Sequence, residues 1–343
     1  MRLAQPVGAI FDHGGAAINT FVAAVLAFLL ATSLVWLLSR SFVARQALDK
    51  PNERSLHSVP VPRTGGLGLL GAVATIWLFL APSGWIWLLL VTALLSLLSF
   101  GDDLAGLPVR TRLAGQTAAS AVFLALYFNG PLVLLPLALL TLIWLANLYN
   151  FMDGSDGLAG GMTITGFGAY AIAAWSAGAV DLSVICAAVA GAAAGFLIWN
   201  FHKAIVFMGD AGSVAIGFLA AAVGMLGWQE NAWPIWFPFL IFSPFIVDAT
   251  VTLAKRVRRG ERLSEPHKSH YYQRILQMGL GHRGTALASY ALMASVSASA
   301  LHLRNAEPLH AGLLIGLWIA AYASIMWHID RRWARHAGDA AKP

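Results

Sequence analysis

The sequence predicts an all-α, polytopic integral membrane protein, a single helical bundle of eleven spans. Three observations carry that prediction. Of the 343 residues, 58% are hydrophobic and only 11% charged, with a mean hydropathy of +0.69, far from the composition of a soluble domain. The apolar residues fall in repeated runs of about 17–22, the length that crosses the hydrocarbon of a bilayer. These runs are continuous rather than alternating, which excludes a β-barrel. Finally, 20 of the 22 Lys and Arg residues lie in the segments that follow odd-numbered runs, the asymmetry expected of cytoplasmic loops.

In chain order the predicted spans are 17–38, 67–82, 84–100, 113–128, 131–147, 161–178, 182–199, 213–229, 233–254, 285–303 and 308–328. No small-x-small cleavage site follows the first run at the right distance, so it reads as a retained helix. Spans six to eight are rich in small residues, and Gly191 and Gly195 have the spacing that lets helices approach closely. The ninth contains Pro244, deep enough to break or kink it. The tail Arg331-Arg332-Trp333-Ala334-Arg335 reads as an interfacial anchor. The chain forms one domain over 1–343, with a core at 50–285 followed by C-terminal spans and a tail at 286–343.

The charge asymmetry places the N-terminus outside and the C-terminus in the cytoplasm. It also accounts for the net charge of +6, so nucleic acid is excluded as a partner. Cys186 lies inside an apolar run and is the only cysteine, so it forms no intrachain disulfide. All the polar, motif-bearing loops fall on the cytoplasmic side. That distribution suits an active-site cleft at the membrane surface better than a transporter, which more often carries charge near mid-bilayer in interrupted helices.

The stretch from Asn147 to Thr163 organises these loops. Asn147 and Asn150 fall on one helical face; Asp153 and Asp156 follow at the same spacing, among repeated glycines that let backbone N–H groups approach a phosphate. Upstream, Arg63-Thr64-Gly65-Gly66 opens a helix, a candidate anion seat combining a fixed charge with free N–H groups. Asp102 and Asp103 sit side by side at a helix end, where they repel each other and face the negative pole of the helix dipole. A chain accepts that cost more readily where a cation or a proton transfer uses it. Asp210 stands at the mouth of span eight, with Asn200, Lys203 and Phe207 upstream. His267 and His270 lie three apart in the longest loop; zinc would need two more ligands, and phosphate binding suits their basic surroundings better.

Together these motifs resemble the polyprenyl-phosphate N-acetylhexosamine-1-phosphate transferases, over residues 50–285. The resemblance rests on Pro62-Arg63-Thr64-Gly65-Gly66, Asp102-Asp103, Asn147-x-x-Asn150-x-x-Asp153-Gly154-x-Asp156-Gly157, Phe207-Met208-Gly209-Asp210-x-Gly212-Ser213 and the His267/His270 loop. Its Pro266-His267-x-x-His270-x-Tyr272-Gln273-Arg274 form is closer to the O-antigen initiating branch than to the peptidoglycan branch. The resemblance implies transfer of a sugar-1-phosphate from a UDP-N-acetyl sugar to undecaprenyl phosphate, with release of UMP and with Mg²⁺, for which Mn²⁺ is a substitute. On that basis Asp210 and Asn150 would hold the metal. Asp102 or Asp103 would serve the acceptor phosphate, Phe207 would stack on uracil and Asp156 would contact the nucleoside. Arg63, Asn147, Asp153, Asn200, Lys203, His267 and His270 complete the substrate-binding set. A lipid-phosphate hydrolase using the same cation and a transporter of lipid or nucleotide-sugar are the alternatives. A second copy of the chain is a candidate partner.

Overall fold

A computed structural model describes residues 13–49, 51, 59–262 and 267–340. The expectations at Arg2, Asn52–His57 and Glu265–Pro266 lie outside the described residues. The elements run α1 (His13–Ser39), α2 (Phe42–Gln46), β1 (Leu48–Asp49), β2 (Val61–Pro62), α3 (Gly65–Leu80), α4 (Ile86–Ala105), α5 (Val109–Tyr127) and α6 (Leu135–Met152). There follow α7 (Leu158–Ser176), α8 (Val180–Asn200), α9 (Gly209–Gln229), α10 (Trp236–Ile241), α11 (Ser243–Arg258), α12 (Tyr271–Ile275), α13 (Gly281–Leu303) and α14 (Pro308–Ala340).

The fold is all-α, apart from the short antiparallel β1–β2 pair. Seven helical segments among the described residues are long and apolar enough to cross a membrane, and α3 is a shorter apolar helix. With α5, α7 and the α10–α11 pair, helical segments stand at every predicted span. Local chemistry sets several boundaries. Gly106, at φ 64°, closes α4 in the left-handed conformation, which glycine adopts without steric cost. Pro244 lies in the first turn of α11, where its missing N–H costs nothing. The predicted break in the ninth span therefore falls at Phe242, just before the proline, dividing α10 from α11. The basic stretch Arg331-Arg332-Trp333-Ala334-Arg335 continues α14 as unbroken helix.

Helix α9 is the buried centre of the bundle. Its small residues allow this. A Cβ on Gly217 would come within 2.4 Å of the Leu145 carbonyl oxygen on α6, and one on Gly212 within 2.6 Å of Gly66 Cα on α3. Gly191 and Gly195 of α8 face the α1 backbone as closely, at 2.1 Å from Ala24 O and 2.4 Å from Phe28 O. The packing role expected of this pair is thus met by α1. Backbones this close gain dispersion contacts that larger side chains would prevent.

Orientation in the membrane has a direct test. With the C-terminus inside, a cysteine at Arg262 should resist a membrane-impermeant thiol reagent in intact cells and react after lysis. Labelling before lysis would overturn the predicted orientation.

Candidate active site

The loops at one end of the bundle converge on a group of carboxylates. The β1–β2 pair delivers Arg63: its backbone N–H donates to Ala47 O at 2.8 Å. Its guanidinium donates to Asp49 Oδ1 at 2.6 Å and stands 3.6 Å from Asp103 Oδ1. Asp102 and Asp103, which the sequence leaves equivalent, have different surroundings. Asp102 is tied into its own turn, accepting from Leu107 N at 2.5 Å and from Arg112 Nη1 at 2.8 Å. Asp103 reaches across to the start of α9, where it accepts from the backbone N–H groups of Ala211, at 3.1 Å, and Asp210. It thereby satisfies two N-terminal donors of α9 from a neighbouring helix. Its other oxygen, Oδ1, is buried and makes no hydrogen bond.

Asp210 lies on the first turn of α9, 3.7 Å from Arg112 Nη1 and hydrogen-bonded to Asn150. Asn150 Oδ1 accepts from Ser213 Oγ at 3.2 Å. The same hydroxyl reaches Gly209 O at 3.0 Å, so its one proton can leave Asn150 Oδ1 free. Asp153, at the end of α6, completes the group. Burial, with Asp210 and Asp103 close by, holds its carboxyl well above the usual carboxylate range.

The remaining predicted residues divide between the cleft and its scaffold. Asn147 is committed to Gln116 Oε1 at 2.6 Å and Ile143 O at 2.8 Å. Asn200 is buried and spans two loops, accepting from Gly157 N at 2.9 Å and donating to Val206 O at 2.9 Å. Asp156 Oδ2 accepts from Ala204 N at 3.2 Å. Lys203 is exposed. The Phe207 backbone is engaged on both sides, by Pro62 O and by Gly65 N.

That last contact corrects the anion seat expected at Arg63–Gly66. The N–H groups of Gly65 and Gly66 are not free for a ligand; they donate to Phe207 O and Met208 O, each at 2.9 Å. The glycines are needed because a Cβ at Gly66 would come within 2.3 Å of Gly212 Cα. The charge at that corner comes from Arg63, which is itself paired with Asp49 and Asp103.

His267 and His270 lie beside this group rather than within it, linked through the 150–157 segment: Tyr272 Oη donates to Phe151 O at 3.2 Å. His270 is buried and its ring lies 4.8 Å from that of His267. Burial, aided by the charge of His270 and Arg256, lowers the His267 pKa to about 4, so His267 is neutral at pH 7.

Some participants escape sequence reasoning. Arg112 bridges Asp102 and Asp210, and His282 Nδ1 meets Ser155 Oγ at 3.1 Å and Asp156 N at 3.3 Å. Asp248 had a readable signal: it is the one ionisable residue in predicted span nine, and such residues are costly in apolar helices and usually functional.

Among the described residues, no group of three or more His, Cys, Asp or Glu side chains is placed to hold a metal ion by itself. The site is instead an open set of oxygen atoms flanked by two arginines. Such a set suits phosphate-bearing molecules and group transfer more than storage of an ion.

Comparison with known proteins agrees. Residues 85–227 match the pattern of glycosyl transferase family 4. The chain is 30% identical to a decaprenyl-phosphate N-acetylglucosaminephosphotransferase of Mycobacterium leprae, over 88% of each chain. It is 29% identical to a probable undecaprenyl-phosphate N-acetylglucosaminyl 1-phosphate transferase of Bacillus subtilis, over 83% of this chain and 84% of the relative. A phospho-N-acetylmuramoyl-pentapeptide-transferase of Geobacillus kaustophilus is 34% identical over 62% of this chain and 75% of its own length. Fold and site thus define a membrane-embedded transferase. The chain belongs to glycosyl transferase family 4, the polyprenyl-phosphate N-acetylhexosamine-1-phosphate transferases.

Proposed function

We propose that this protein transfers an N-acetylated sugar-1-phosphate from a UDP-sugar to undecaprenyl phosphate at the cytoplasmic face of the inner membrane, releasing UMP. The product would start a lipid-linked glycan of the O-antigen type. The observation that supports this reading best is the convergence of Asp103, Asp153 and Asp210 with Arg63 and Arg112 at one end of an apolar bundle.

Donor and acceptor are both anionic, so a phosphate oxygen must attack a diphosphate against repulsion. Arg63 and Arg112 offset part of it. The residues present also fit Mg²⁺, which takes one or two carboxylates and completes its shell with phosphate oxygens and water. Asp210 and Asn150 would hold it, beside Asp103 Oδ1, which makes no hydrogen bond; Mn²⁺ would be accepted as well. Bound there, the cation supplies charge neutralisation on the diphosphate. The Asp103 oxygen that makes no hydrogen bond, and the full engagement of Asp102, favour Asp103 as the residue that orients the acceptor phosphate. That phosphate has a second pKa near ~6. It is mostly dianionic at pH 7 and is a competent nucleophile without a strong base.

Purified protein incubated with undecaprenyl phosphate and a panel of UDP-N-acetyl sugars should release UMP with one preferred donor, and only when acceptor and Mg²⁺ are both present. Release of inorganic phosphate from the lipid would instead identify a hydrolase. UDP-sugar binding without turnover would identify a carrier.

A further inference from the structure

We infer that Asp49 and Asp102 are positioning residues: each tethers one of the two site arginines, Arg63 or Arg112, and keeps it from closing on the carboxylate beside it, Asp103 or Asp210. This rests on reading the converged group as the site of cation and phosphate.

The two arginines are held alike. Arg63 Nη2 donates to Asp49 Oδ1 at 2.6 Å, while its Nη1 stands 3.6 Å from Asp103 Oδ1. Arg112 Nη1 donates to Asp102 Oδ2 at 2.8 Å and stands 3.7 Å from Asp210 Oδ2. In each case the short contact is a charge-assisted hydrogen bond, and the longer one is too long to be a hydrogen bond. An arginine this close to a carboxylate would otherwise form the bidentate pair that its planar fork favours. Here a second aspartate holds it back.

Local helix chemistry does not explain the pairs. Asp102 lies in the last turn of α4 and Arg112 in the first turn of α5. Each stands at the end of its helix where the dipole opposes its charge, and pairing across the Gly106–Pro108 turn offsets both costs. The first pair has its own scaffold: Asp49 ends β1 opposite Val61, and β2 leads directly into Arg63. The side chains of Arg63 and Arg112 are 35% and 36% exposed, whereas that of Asp103 is fully buried. The tethers therefore keep two cationic groups at the rim, open to a phosphate, and spare the oxygens of Asp103 and Asp210 for a divalent cation. If the arginines closed on those carboxylates, the cation would have to displace them.

The test is a double-mutant cycle on each pair in the full-length protein. It is read by Mn²⁺ affinity without lipid or UDP-sugar, from the electron paramagnetic resonance signal of the free ion, and by kcat/KM for UMP release. Asp49→Asn and Asp102→Asn should each weaken Mn²⁺ binding about three- to fivefold, the scale of one partly exposed ion pair. Arg63→Gln and Arg112→Gln should bind Mn²⁺ at least as tightly as the unaltered protein, yet lose about 10²-fold in kcat/KM. Each double variant should recover the unaltered Mn²⁺ affinity, because no arginine is left to close on the carboxylate. A structure of Asp49→Asn should show Arg63 hydrogen-bonded to Asp103. Double variants that bind Mn²⁺ as weakly as the aspartate variants, or an Arg63 still held off Asp103, would overturn the tether role. The pairs lie on separate loops, so if a variant at one fails to fold, the cycle at the other decides. Absence of Mn²⁺ binding by the unaltered protein would overturn the cation reading of the site, and this inference with it.

Discussion

Asp210→Asn should abolish turnover and leave the protein folded in detergent. The side chain is the carboxylate of the converged group that combines contact with Asn150 and Arg112, and a hard cation bound there would depend on its charge. The fold depends on it little. The start of α9 is held by Asp103, which accepts the backbone N–H groups of residues 210 and 211 whatever side chain stands at 210. An asparagine also keeps a hydrogen-bonding partner for Asn150. UMP release measured across a Mg²⁺ titration, beside a thermal unfolding curve, checks both halves. Near-wild-type activity at ordinary Mg²⁺ would remove Asp210 from the metal site.

Asp103→Asn should cost about 10²–10⁴-fold in rate, the range of a positioned acid–base group, with residual activity rising as pH passes the acceptor's second pKa. The asparagine can keep an oxygen toward Ala211 N–H, so the α4–α9 contact survives. Replacement by alanine would in addition strip the two donors it satisfies, costing about 1–3 kcal/mol for each buried group left unpaired. The same residue decides between two chemistries. A covalent aspartyl intermediate would let purified, lipid-free enzyme exchange labelled UMP into UDP-sugar without acceptor. Direct attack makes that exchange depend on the lipid-linked product, and dependence is the expected result, because the acceptor dianion needs no intermediary. Acceptor-independent exchange would make one of the two aspartates the covalent residue.

The all-α membrane fold and most of the candidate residues were legible in the one-dimensional pattern, for definite reasons. Bilayer thickness dictates the length of an apolar run, so helices announce themselves by composition. A carboxylate beside such a run is costly enough that Asp102, Asp103, Asp153 and Asp210 stand out wherever they fall. Pro244 marked the break between α10 and α11 because its ring and missing N–H are costly in a helix interior but not in a first turn.

What the sequence could not show is which of these groups meet and which are already occupied. Asp102 and Asp103 are adjacent and chemically identical in one dimension. Only the approach of α9 gives Asp103 the buried, half-satisfied carboxylate while Arg112 and Leu107 occupy Asp102. Gly65 and Gly66 carry the pattern of an anion seat, but the 207–208 backbone packs there and takes their N–H groups. Asp248 and His270 are 22 residues apart, and only the packing of α12 on α11 brings them together. Composition and periodicity are properties of the chain and fix which elements form. Hydrogen-bond saturation and charge pairing depend on distances between elements, which exist only once the bundle has closed.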